Sequence, residues 1–225
     1  MDDVLAVSHA GVIVCFEPAT EFFETHLNEQ LEQQEERYIA LRKDEFLCPG
    51  LIDLHIHAPQ YAFTGTATDL PLMGPDGWLE TYTFPTEQSF RDLQLARNVY
   101  ERVVQKTLRM GTTTAVYFAT LDLEPTKLLV DIALECGQRA LVGNVCMDRN
   151  SPDAYCHSSD QNLRDTRELI EYIRNHPAQK SHLVGSDYLS PLVLPLVTPR
   201  FIPTCSPELL DGLAKIADEY DCHIT

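Results

Sequence analysis

His55 and His57 stand one residue apart at the end of an apolar run, in CPGLIDLHIHAPQ (48–60). Side chains along a strand alternate faces, so histidines two positions apart point the same way, and Asp53 shares their face. Two imidazoles on one face can grip a single metal ion, and imidazole is a standard ligand of Zn2+. The competing reading is a polar strand end turned to water. Position favours the metal: the pair closes a strand that opens a series of alternating strands and helices. In parallel α/β folds, functional sites lie at the C-terminal ends of the strands.

That series is legible along the chain. Short apolar runs over 4–16, broken at Gly11, suit a hairpin. EFFETHLNEQLEQQEERY (21–38) places Phe23, Leu27 and Leu31 four apart on an acidic background, an amphipathic helix read as a packed structural element. After the strand over 51–57 comes a loop rich in Pro, Gly and Thr (58–88), then a helix over about 89–110 with Ser89 as cap and Gly111 as stop. β-branched and apolar runs predict strands at 112–120, 139–147 and 192–199. Helices are predicted at 126–137, at 160–176 with Asp160 as cap, and at 206–221, where Ser206 and Pro207 form an N-cap and N1 pair. CHIT (222–225) reads as the start of another strand. The order β-α-β-α-β-α-β-α-β implies a parallel sheet with helical cover, either a doubly wound open sheet or about half of a (βα)8 barrel.

Composition narrows the function classes. The 225 residues carry 17 Lys plus Arg against 34 Asp plus Glu, a formal charge of −17. That disfavours nucleic acid, anionic membrane and polyanionic substrates, and suits a neutral small molecule. Seven widely spaced cysteines without C-x-x-C read as reduced thiols of a cytoplasmic protein, and the absence of P-C-x-x-C excludes the cytidine-deaminase type of zinc site. No apolar run approaches a membrane span, and acids occupy the place of a signal peptide's basic region. Neither G-x-G-x-x-G nor G-x-x-x-x-G-K-[ST] occurs, which counts against a nucleotide-binding doubly wound fold. His9, His26, His157, His176 and His182 fall in loops or polar helices and are read as solvated.

PGLIDLHIH (49–57) resembles the first barrel strand of the amidohydrolase superfamily, whose signature is P-G-x-[IV]-D-x-H-x-H, and GTTT (111–114) resembles the start of its second. HIHAPQYAFTG, TYTFPTE, RNVYERVVQKTLRMGTTTAVYFAT, GQRALVGNVCMD and VTPRFIPTCS together are similar to the guanine-deaminating branch. The resemblance implies a (βα)8 barrel of which the first half is present (47–225), preceded by part of a small β domain with a surface helix (1–46). It implies hydrolysis of guanine to xanthine and ammonia, with one Zn2+ per subunit making water nucleophilic at neutral pH. His55 and His57 match the first two zinc ligands, and Gln60 matches the residue that hydrogen-bonds the purine edge. Arg200 and Phe201 match the residues that hold the purine carbonyl and stack near the ring. On residue type alone, Gln60 reads better as a solvated loop amide and Arg200 as a surface ion-pair partner, the commoner fate of Arg, and Phe201 could be core; their co-occurrence with the histidines favours the functional reading. LVLPLVTPRF carries no Lys at the end of strand four, which points to one metal rather than two.

The resemblance also places the third histidine ligand and the catalytic Glu in an S-H-x-S-E stretch beyond Thr225; His223 does not replace that ligand. The expectation is a truncated chain, inactive alone, whose full-length form is a homodimer. A short Gly-Pro insertion at Gly74–Gly77 stands where a tighter connection and a substrate lid are expected. Two alternatives stay open: an aminohydrolase for cytosine, adenosine or an s-triazine, and a non-catalytic isoform that acts by association.

Overall fold

The computed structural model describes residues 3–8, 13–26, 39–182 and 191–225. They divide into two units, one formed by the described residues up to Pro49 and the other beginning at Gly50.

In the first unit, β1 (Asp3–Val7) and β2 (Ile13–Pro18) pair antiparallel, with Leu5 opposite Phe16 and a register irregularity at Ala6/Val7. Gly11, expected to break the two runs, lies outside the described residues. Helix α1 spans Ala19–His26. The rest of the amphipathic helix expected over 21–38 also lies outside them.

The second unit is a five-stranded parallel sheet in sequential order: β3 (Leu51–His57), β4 (Thr112–Phe118), β5 (Arg139–Gly143), β6 (Val193–Val197) and β7 (His223–Ile224). Sequential order in a wholly parallel sheet belongs to the barrel and not to a doubly wound fold, where the order reverses at a switch point. The architecture is that of about half a (βα)8 barrel.

The connecting helices are α2 (Phe84–Ser89), α3 (Leu93–Arg109), α4 (Leu123–Glu135), α5 (Ser159–Asn175), α6 (Pro177–His182) and α7 (Pro207–Glu219). Three helix starts are fixed by side-chain caps. Asp92 accepts from the N–H groups of Gln94 and Leu95, Ser158 from Gln161, and Ser206 from Leu209. The Ser206–Pro207 pair is as expected, whereas Ser89 and Asp160 are not caps. Ser89 closes α2, and its hydroxyl donates to the Thr86 carbonyl; Asp160 falls inside the first turn of α5. At its other end, α3 is stopped by Gly111 at φ +91°, a left-handed conformation that glycine adopts without penalty.

The core fills the layer between sheet and helices. Ala115, Tyr117, Ala140 and Val142 pack with Val103, Val104, Leu129, Ile132 and Leu169, all nearly fully buried. Tyr117 keeps its hydroxyl satisfied inside that layer by donating to Gln138 Oε1 at 2.8 Å. At the edge of the sheet the apolar side chains of β3 face solvent, with Ile52 64% and Leu54 70% exposed.

The segment expected as one loop over 58–88 is more ordered than its composition suggests. A 3-10 turn covers Ala58–Phe63, a π-helical turn covers Leu79–Thr83, and α2 follows directly. Proline marks helix starts as well as breaks: Pro59 and Pro85 sit at helix starts, where the missing N–H costs nothing. The Gly74–Gly77 stretch forms a turn closed by the Gly77 N–H to the Gly74 carbonyl, and Trp78 and Leu79 bond back to Pro71 and Leu72.

Candidate active site

A cleft of about 690 Å3 lies at the C-terminal ends of β3 and β6. His55, His57, Gln60, Arg200 and Phe201 all line it. Strand β3 delivers the two histidines to one face, and the following 3-10 turn delivers Gln60. Arg200 and Phe201 follow β6, where the Arg200 N–H bonds to the Cys146 carbonyl at 2.9 Å. That loop is tied to its neighbour by Asp148, which accepts from the Ser206 N–H (2.7 Å), the Ser206 hydroxyl (2.5 Å) and the Ser159 hydroxyl (2.6 Å). Burial raises the Asp148 pKa, but the Ser159 and Ser206 hydroxyls outweigh it and leave the carboxyl below its ordinary range.

The imidazoles of His55 and His57 have centroids 5.2 Å apart with planes inclined at 63°. Two imidazole nitrogens each about 2 Å from one ion at a tetrahedral angle put ring centres about 5 Å apart, so the pair fits a shared metal. Nδ1 of His57 is buried without a hydrogen-bond partner, an orphan that a buried polar atom seldom tolerates. Burial, then the Arg200 charge, then His55 lower the His57 pKa to about 3. The ring is therefore neutral at physiological pH, the form in which histidine ligates metals. Asp53, on the same strand face, accepts from the His55 N–H at 3.1 Å. Among the described residues, no group of three or more His, Cys, Asp or Glu side chains is placed to hold a metal ion.

Several features of the site were not expected. Phe118 ends β4 directly beside His57 in the strand register, and its ring lies 4.6 Å from His55 and 4.7 Å from His57. It packs an apolar face against both imidazoles and restricts their rotamers. Its position at the end of the next parallel strand was the available signal. Trp78 and Leu79 line the cleft from the segment after the Gly74–Gly77 turn; the Trp78 indole donates to the Thr66 carbonyl at 2.9 Å and packs on Phe63.

Arg200 is 7% exposed and Glu87 is fully buried. Nη1 and Nη2 of Arg200 donate to the two carboxylate oxygens of Glu87 at 2.6 and 3.0 Å. Tyr155 donates to the same carboxylate at 3.0 Å and accepts the Leu121 N–H at 2.8 Å. Burial first, then the Glu87 charge, push the Tyr155 hydroxyl well above its ordinary pKa, so it remains a donor. The Arg200 guanidinium also lies 5.1 Å from the centre of the Phe84 ring. Arg200 is thus neither a surface ion-pair partner nor a free side chain.

Two histidines expected to be solvated are held by carboxylates instead. His157 sits between Asp122 and Asp165, each 3.6 Å from a ring nitrogen. His176 faces Asp131 at 3.2 Å and accepts the Ala178 N–H. Polar sequence surroundings hid both, because the carboxylates of Asp122 and Asp131 come from other elements. His9 lies outside the described residues, as do the side chains of His26 and His182.

The fold and this site define the class. Residues 46–225 match the model of the amidohydrolase family, and the chain belongs to that family. It is 47% identical over 176 residues to a guanine deaminase of Dictyostelium discoideum, covering 78% of this chain and 36% of that protein. Against the guanine deaminase of Mus musculus the identity is 40% over 224 residues, 99% of this chain and 46% of that one. A crystal structure of guanine deaminase from C. acetobutylicum with bound guanine superposes with a TM-score of 0.69 at 36% identity, over 78% of this chain and 38% of that one. The chain spans less than half the length of these curated relatives.

Proposed function

We propose that the protein acts in the hydrolytic deamination of guanine to xanthine and ammonia, with His55 and His57 as two ligands of a catalytic zinc ion. The observation that carries this reading is the convergence of His55, His57, Gln60, Arg200 and Phe201 on one cleft. Bound at the histidine pair, zinc supplies the Lewis acidity that makes water nucleophilic at neutral pH. The chain's own residues bind and orient the base. Gln60 offers an amide that can both donate to and accept from a purine edge. Arg200 offers donors alone, suited to the carbonyl, and Phe201 with Trp78 supplies apolar faces for the ring. Phe118 keeps the histidine pair aligned.

The same reading takes purine catabolism as the setting, a homodimer as the assembled state and the cytoplasm as the location. All seven cysteines are free, which suits a reducing compartment.

Zinc retention and purine binding test the proposal. The chain is expected to bind zinc, and His55→Ala and His57→Ala to abolish that binding. It is also expected to bind guanine in preference to adenine, with xanthine release reporting whether it completes the reaction. Zinc binding unchanged in both variants, or a preference for adenine, refutes the reading.

A further inference from the structure

We infer that Glu87 is a positioning residue: it locks the Arg200 guanidinium so that one donor edge serves the cleft, and so selects a purine with an oxygen rather than an amino group at C6. This rests on the reading of the cleft as a guanine site and adds a residue to it.

A guanidinium has five N–H donors in a planar fork and no acceptor. Glu87 takes one hydrogen from each of Nη1 and Nη2, a two-point pair that fixes both the position and the plane of the group. The Phe84 ring, 5.1 Å away, restricts the same plane from one side. Glu87 cannot swing away, because Tyr155 donates to it and the Tyr155 oxygen is held by the backbone N–H of Leu121. The arrangement runs from backbone to Tyr155 to Glu87 to Arg200, and its carboxylate is fully buried.

The second edge of the guanidinium, Nε–H with the remaining Nη2 N–H, has no partner among the described residues, and Arg200 lines the cleft. That edge presents two parallel donors. Guanine offers O6 and N7 as two parallel acceptors, the pairing Arg uses to read guanine elsewhere. A purine with an amino group at C6 sets a donor against a donor. A free arginine could rotate to relieve that conflict, but one fixed by Glu87 cannot.

The experiment compares the full chain with Glu87→Gln, Glu87→Asp and Tyr155→Phe, each checked for folding by circular dichroism. Nitrogen-15 NMR of the Arg200 side chain reads the positioning. The unaltered chain should show distinct, slowly exchanging Nη resonances, and Glu87→Gln should average them. Dissociation constants for guanine and 2,6-diaminopurine, which differ in the group at C6 and the N1 proton that goes with it, read the selection. Glu87→Gln should weaken guanine about 10- to 100-fold, in line with loss of a good two-point pair, and leave 2,6-diaminopurine within about 3-fold. Glu87→Asp should fall between, and Tyr155→Phe should weaken guanine several-fold. If Glu87→Gln does not fold, those two variants decide. Averaged Nη resonances in the unaltered chain, or an undiminished guanine preference in the folded variants, overturn the inference. If the chain binds neither purine but Glu87 still governs Arg200 rotation, the positioning stands and the guanine reading falls.

Discussion

Replacing His157 by Gln removes a cation clamped between two acids, and its cost should depend on pH. In the folded protein Asp122, then Asp165, raise the His157 pKa from 6.5 to about 9, against the opposing effect of burial. The gap between about 9 and 6.5, at 1.36 kcal/mol per pH unit, sets a ceiling of about 3 kcal/mol. At 3.6 Å neither carboxylate is within hydrogen-bond range, and the ring is 21% exposed, so water screens both attractions. A contribution of about 1–2 kcal/mol follows. Because the folded pKa is raised, the stabilisation is complete below about pH 6.5, declines as pH rises, and is gone above about pH 9. Asp122 also pairs with Arg91 at 2.9 Å, so part of its charge stays compensated when His157 is neutral. Urea unfolding of the unaltered chain and His157→Gln at about pH 6 and about pH 10 measures the effect. The variant should be less stable by about 1–2 kcal/mol at the lower pH and nearly equal at the higher. An equal deficit at both pH values, or His157 itself titrating near its ordinary pKa in the folded protein, would refute the reasoning.

Three further outcomes are expected. Leu169→Ala, in the core at 1% exposure, should cost about 2–5 kcal/mol in denaturant unfolding, whereas Leu54→Ala, at 70% exposure, should stay within about 0.5. Tyr117→Phe leaves Gln138 Oε1 without its buried donor and should cost about 1–3 kcal/mol, read the same way. Ser206→Ala removes the cap on the Leu209 N–H and the hydroxyl bond to Asp148, and should lower stability by about 1–2 kcal/mol; a thermal midpoint equal to that of the unaltered chain would count against the capping argument.

The strands and long helices were readable because their causes are short-range. The β-branched and apolar run at 112–118 and the glycine stop at Gly111 act on neighbours within a turn or two. The Ser206–Pro207 start is equally local, since the cap, the proline and the capped N–H span four residues. Expectation failed at 58–88, where two proline-led turns looked like loop because proline marks both breaks and starts. It failed again at Ser89, where Asp92, three residues on, accepts two N–H groups and sets the boundary.

Within the site, the sequence by itself determined that His55 and His57 share a face, because strand geometry leaves no other choice. The resemblance singled out Gln60, Arg200 and Phe201 as residues, but not the company they keep. Tertiary structure decided that Arg200 is buried on Glu87, 113 residues away, that Phe118 packs against both imidazoles, and that His157 lies between Asp122 and Asp165. The physical reason is common to all three. A charge or a ring acquires its role from burial and from partners brought by other elements, and residue type and local spacing carry neither.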